Sequence, residues 1–270
     1  MALRSPKTHK IRGFGGSPLL ANLLFLAALQ VSAEPSTPND QAAEILAPGY
    51  QPLKYKAPEP GSYSLSDLGP AADASLLESN GAKVNLDALL QNKITVISFI
   101  YASCNEVNGC PLATSVLHRT QEALKKNTAL RNTVRFVTIS FDPVHDTPDV
   151  MARYAHPFIK DGDDWHFLTA ASASAVTDLL SGYQQSITPE RDAQGKMTGS
   201  ISHVLRVILV DPKRRIRNIY TPSVLHSDLL LADILTLSLN TDQQPFSPAS
   251  PSIVSASAKA GPGDDKSHYE

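Results

Sequence analysis

Only two cysteines occur in the 270 residues, both within positions 104–110. That excludes a disulfide-stapled scaffold and leaves redox chemistry or metal capture as the uses for a close pair. Charge of one sign is equally scarce. Twenty-four Lys and Arg face 26 Asp and Glu for a formal net charge of -2, and no basic stripe is present, so the electrostatic footprint of nucleic-acid binding is missing. There is no internal repeat, and the lone methionines Met151 and Met197 build no methionine-rich metal tract. The longest apolar run, Leu19 to Val31, is broken by Asn22 and Gln30 and falls short of the roughly 20 residues that span a bilayer.

What is present begins with Arg4, Lys7, Lys10 and Arg12, a basic stretch ahead of that apolar run, which ends in the small residues Val31-Ser32-Ala33. This is the pattern of a signal peptide over residues 1–33. Export to a bacterial periplasm is expected, with anchoring in the inner membrane only if the segment is not cleaved. No cysteine follows the run, which argues against a lipid-anchored form. Residues 34–60 are rich in Pro, Ala and polar residues and read as a linker. Residues 241–270 read as a disordered tail that cannot bury enough apolar surface to order itself. A hydrophobic content of 42% suffices for one domain over residues 61–240.

Within that domain, Ile94 to Tyr101 is a β-branched and aromatic run expected to form a buried strand. Pro111 suits the first turn of a following helix, with Leu112, Val116, Leu117 and Leu124 near helical spacing. Val134 to Phe141 predicts a second strand, and Asp146-Thr147-Pro148 a helix start with Thr147 as cap. Residues 173–182 predict a short helix and 186–202 a long loop. Val204 to Val210 and Ile216 to Tyr220 predict a hairpin turning over Asp211 to Arg215, and Leu225 to Leu239 predicts a final helix. This order implies an α/β, thioredoxin-like three-layer fold, a central mixed sheet flanked by helices, with residues 61–93 adding an N-terminal hairpin.

Cys104 and Cys110 sit where a buried strand gives way to a helix. The N–H groups and dipole at a helix start favour a thiolate, the form that attacks disulfides or binds metal. Two such sulfurs either form a disulfide or grip a soft cation, with Cu(I) the best match. A purely structural bridge would close a short loop and add little stability. Structural zinc ordinarily uses four clustered ligands, more than the two cysteines and one histidine in view. His203, just before the strand from Val204, is the candidate third ligand, since an added imidazole suits Cu(II). A histidine at a strand edge is more often structural, and spacing alone cannot bring it to residues 104–110.

Several segments resemble the SCO/SenC family. Phe99 to Cys104 followed by Cys110-Pro111-Leu112 is similar to its strand and cysteine loop. Ile139 to Pro143 followed by Asp146-Thr147-Pro148 is similar to its next strand and helix start. Asp164 to Thr169 resembles its W-x-F-L-T segment. Ile201-Ser202-His203, leading to Leu209 to Pro212 and Ile216 to Tyr220, resembles its ligand histidine and hairpin. The resemblance covers about Gly61 to Leu239. It implies a thioredoxin fold binding Cu(I) or Cu(II) through Cys104, Cys110 and His203, with Asp142 in a supporting role. It also implies a metallochaperone whose partner is the copper subunit of a respiratory oxidase or another exported copper protein. The protein would deliver copper to the binuclear copper site or keep that site's thiols reduced.

Two departures stand out. Asn105 to Gly109 puts five residues between the cysteines where the family has three, which should loosen the loop. The turn Lys213-Arg214-Arg215 lacks the family's Gly. The alternatives are a thiol-disulfide oxidoreductase using Cys104 and Cys110 as catalytic residues, against which the missing C-x-x-C spacing counts, and a copper or redox sensor. Tyr101 stands where a peroxiredoxin carries Thr, so a peroxidase is not expected. His118, His145, His156, His166 and His226 are expected to be solvent-facing or structural.

Overall fold

The computed structural model describes residues 49–128 and 130–242. The signal segment 1–33 and residues 243–270 of the tail lie outside the described residues. Among those described, no helix is long and apolar enough to cross a membrane.

The strands run β1 (Ser75–Glu78), β2 (Lys83–Asn85), β3 (Ile94–Ile100), β4 (Val134–Ser140), β5 (Trp165–Thr169), β6 (Ile187–Arg191), β7 (Met197–His203), β8 (Val207–Val210) and β9 (Ile216–Tyr220). The helices are α1 (Leu86–Leu90), α2 (Cys110–Lys125), α3 (Pro148–Ala155), α4 (Ala173–Gly182) and α5 (Ser227–Asp242). Seven strands form one mixed sheet in the order β2-β1-β5-β4-β3-β8-β9. β3 is parallel to β4 and β4 to β5, while β8 and β1 pair antiparallel to β3 and β5. This is the α/β, thioredoxin-like arrangement expected, and β1 and β2 supply the N-terminal hairpin.

The uninterrupted apolar character of β3 follows from its position. Every one of its residues is buried, as in a parallel strand covered on both faces. Val96, Ser98 and Ile100 share one face, and Thr95, Ile97 and Phe99 the other. On the second face Phe99 packs against Tyr183 at the end of α4 (ring centroids 5.4 Å apart), and Arg135 donates to the Leu89 carbonyl of α1. On the first, α2 and α3 are joined by a 2.7 Å hydrogen bond between Thr114 and Tyr154, and α5 packs beside α2. On this face the interior polar groups of neighbouring strands pair with one another: Ser98 Oγ meets Thr138 Oγ1 at 3.0 Å, and Trp165 Nε1 donates to the same oxygen at 3.0 Å.

Three local expectations change. Residues 186–202 form no loop: β6 and β7 pair as a separate two-stranded ribbon, with Ile187 opposite His203 and Arg191 opposite Met197. Both faces of the ribbon are mostly exposed, so no hydrophobic alternation announces it. β8 starts only at Val207, because Val204 to Arg206 cross from the ribbon to the sheet. Within the stretch read as linker, Tyr50 lies against α5, its hydroxyl 2.9 Å from His226 Nε2 and 2.8 Å from Ser227 Oγ. Arg119 sits over the Tyr50 ring at 4.5 Å.

Candidate metal centre

Three chain segments meet where β3 and β4 end. The first runs from Tyr101 into α2. Its backbone turns on hydrogen bonds from Cys104 N–H to the Tyr101 carbonyl and from Gly109 N–H to the Glu106 carbonyl. The two extra residues between the cysteines are therefore taken up in a closed turn rather than slack. Gly109 lets the loop close tightly: a Cβ would stand 3.2 Å from Cys104 Sγ and 3.1 Å from the Glu106 carbonyl oxygen, so these neighbours would have to give way. Helix α2 starts at Cys110 with Pro at its first turn, as expected, which leaves its first N–H groups free to face the sulfur of Cys104.

Both cysteines are free thiols, Cys110 fully buried and Cys104 half-buried. Their environments push them apart as acids. The hydrogen bond from Cys110 stabilises the Cys104 thiolate against its own burial. The backbone N–H groups of Cys110 and Glu106 and the Tyr101 hydroxyl add to it, and the Cys104 thiol falls to about 5. Cys110, holding the shared proton, buried and beside that negative sulfur, is driven well above the ordinary thiol range.

His203, the last residue of β7, brings the third donor. Its Nε2 lies 3.9 Å from Cys110 Sγ across 93 positions of sequence. Its Nδ1 is 3.1 Å from the Ile201 carbonyl oxygen, which can only accept. The proton is thereby placed on Nδ1, and the lone pair of Nε2 faces the sulfur. The ring is held between Phe141 and Tyr101, with centroids 4.9 and 5.9 Å away. The Tyr101 hydroxyl joins both halves, through Cys104 and the Ile201 backbone N–H. Burial, then the Cys104 charge, push its pKa up to about 12.

The third segment is the turn after β4. The Asp142 carboxylate faces the exposed His145, 2.8 Å from its Nδ1. Asp146 is the acid that reaches the cysteine loop. Buried, it accepts from the Ala102 N–H at 2.9 Å and from Ser140 Oγ at 2.5 Å, and burial raises its pKa. Behind the site, Tyr154 is bonded to Thr114, whose hydroxyl donates to the Cys110 carbonyl. Neither Asp146, in the expected approach to a helix cap, nor Tyr101, at the end of the expected strand, carries a site role in the sequence reading. A polar side chain that turns inward from a loop leaves no periodic trace.

In donor chemistry the set fits copper: one thiolate, one thiol and one imidazole with its lone pair free. Two soft sulfurs suit Cu(I), and the added nitrogen suits Cu(II). Among the described residues no three His, Cys, Asp or Glu side chains are already drawn close enough to hold an ion. The three donors are instead spaced by hydrogen bonds. Of the other histidines, His166 is ion-paired with Glu78 at 2.7 Å and Asp164 at 3.1 Å, on the sheet away from the sulfurs.

Comparison with known proteins agrees with the shared motifs. The family model described as SCO1/SenC matches residues 71–238. A SCO1 protein homolog of Bacillus subtilis is 25% identical over 141 residues, 52% of this chain and 68% of the relative. The fold is similar to that of Arabidopsis thaliana ScoI with copper bound (TM-score 0.54, 20% identity, 64% of this chain and 98% of the other). It is also similar to that of BsSco, described as carrying a disulfide switch and belonging to a family of cytochrome c oxidase assembly proteins (TM-score 0.51, 22% identity, 65% and 97%).

Proposed function

The chain belongs to the SCO1/SenC family, and from that premise we propose that it is an exported copper carrier. Cys104, Cys110 and His203 hold the ion as Cu(I) or Cu(II) and pass it to the binuclear copper site of a respiratory oxidase in the periplasm, with residues 1–33 as the export signal. The observation that carries this reading is the approach of His203 Nε2 to Cys110 Sγ, with the Nδ1 proton tied to a backbone carbonyl. A ligand histidine ordinarily has its second nitrogen anchored in this way. Copper supplies the cargo; the chain supplies two sulfurs of unlike acidity, an oriented ring, and a water-excluding wall of Tyr101 and Phe141. Asp142 serves as a supporting residue beside the site, its N–H held by Ser140 Oγ.

Cu(I) and Cu(II) titrations of wild type and His203→Ala test the reading. The variant is expected to lose about tenfold or more in Cu(II) affinity while retaining Cu(I) on its sulfurs. Equal Cu(II) binding by both proteins would remove the three-ligand site.

A second reading, reduction of the oxidase's own copper-site cysteines, is favoured by the split between a thiolate at Cys104 and a protonated Cys110. A pair divided this way attacks a disulfide through one sulfur and resolves through the other. Rapid exchange with a disulfide peptide, lost in Cys104→Ser, would support it.

A further inference from the structure

Helix α4 ends in a closed cap. Gln184 takes φ 52°, and its N–H and that of Gln185 return to the carbonyls of Ser181 and Leu180, the left-handed termination that fixes the residues after a helix. The side chain of Gln185, 5% exposed, reaches from this cap to the foot of the ribbon. Its Nε2 donates to the carbonyl of Val204, the residue after His203, at 2.8 Å and to that of Ser186 at 3.3 Å. Arg206, in the segment that leaves β7, adds a second tie, donating to the Gln184 carbonyl at 2.8 Å. Among the described residues the carboxamide oxygen of Gln185 is buried with no partner, a cost an apolar side chain of that shape would not carry.

The ribbon's other holds also lie near the foot, where Ile187 and Ile201 pack against the core and the Ile201 N–H meets the Tyr101 hydroxyl. Among the described residues β6 and β7 pair only with each other, and neither contains a fully buried residue. The position of His203 is therefore set at the foot, where the α4 cap holds the Val204 carbonyl beside these contacts. We propose that Gln185 is a positioning residue for His203: its amide holds the Val204 carbonyl so that the imidazole stays aimed at Cys110. This rests on the reading of His203 as a ligand, and it assigns Gln185 no contact with the ion.

The test replaces Gln185 by Met, of similar length without a donor, in the full chain with and without His203→Ala. The probes are Cu(II) alone and Cu(I) alone, read by competition affinity and by the sulfur-to-Cu(II) charge-transfer band. Gln185→Met is expected to weaken Cu(II) by about tenfold, the scale of lost outer-shell support, to shift the band, and to leave Cu(I) affinity in place. In the His203→Ala background the same substitution is expected to cost nothing further. Without metal, nitrogen-15 NMR of His203 is expected to show its single Nδ1–H tautomer give way to a mixture.

Unchanged Cu(II) affinity in Gln185→Met, or an equal loss with and without His203, overturns the assignment. If His203→Ala itself binds Cu(II) as wild type does, the ligand reading fails first and takes this one with it. Should Gln185→Met not fold, Arg206→Met at the exposed half of the same clamp carries the test, with a smaller loss that must also vanish without His203.

Discussion

On the Cys104 sulfur, donors converge from Cys110, Glu106 and Tyr101, whereas Cys110 faces a buried, already negative neighbour. The same thiol chemistry thus yields two different acids six positions apart. A brief exposure of the metal-free protein to iodoacetamide at pH 6.5, followed by peptide mapping, should label Cys104 and spare Cys110. The Cys104 rate should be flat above about pH 6 and fall as pH drops through about 5, because only the thiolate attacks. Equal labelling of the two sulfurs would contradict this electrostatic picture. The fully buried acid nearby, Asp146, has a structural counterpart to this effect. Asp146→Ala removes the acceptor of the Ala102 N–H and of Ser140, and should cost about 2 kcal/mol in chemical denaturation. Faster amide exchange at Ala102 would mark where the loss occurs.

Among the elements, those with a period or an unbroken apolar run were legible beforehand. β3 and β4 are buried along their length, α2 begins at the expected proline, and Thr147 caps α3. β5 came into view only through a family-like segment, since its five residues are too few to establish a pattern. The ribbon of β6 and β7 was missed because its residues are polar, exposed and punctuated by Gly195 and Gly199. The site divides in the same way: the cysteines announce themselves by type and placement, while the meeting of His203 with Cys110 is a property of the closed fold. Arg214 shows sequence and structure agreeing. It lies in the turn that lacks the usual Gly, and it adopts φ 63°, a conformation most side chains avoid. A difference between elements should be measurable: native-state amide exchange is expected to open the ribbon by local fluctuation well before β3, β4 and β8, which exchange with global unfolding.

For the molecule as a whole, stability against pH is set at the end of the sheet opposite the sulfurs. There Lys93, Arg135 and His166 surround Asp164, and Glu78 meets the far side of the imidazole. Burial opposes the charge on His166, but its hydrogen bonds to Asp164 and Glu78 prevail and raise its pKa to about 9. The Asp164 carboxyl is buried too, yet His166, Arg135 and Lys93 hold it well below the usual carboxylate range. A histidine with a raised folded-state pKa stabilises fully below its unfolded value near 6.5 and loses that contribution as pH rises through about 9. The aspartate contributes above its unfolded value near 3.8 and loses it as pH falls. Between those limits the cluster is at full strength. Wild type should therefore lose about 2 kcal/mol more than His166→Gln between pH 6 and pH 9.5, allowing for partial solvent screening. Parallel pH profiles for the two proteins would refute this.

The sulfurs are embedded in the same packed body as the sheet, whereas the imidazole rides on an appendage tied down at its foot. A shell assembled from parts of unequal stiffness has a built-in order of disassembly. Were the chain to carry copper as proposed, tilting the appendage would strip the nitrogen away and leave the sulfur pair without disturbing the interior, so that unloading would be a local mechanical act rather than a partial melting.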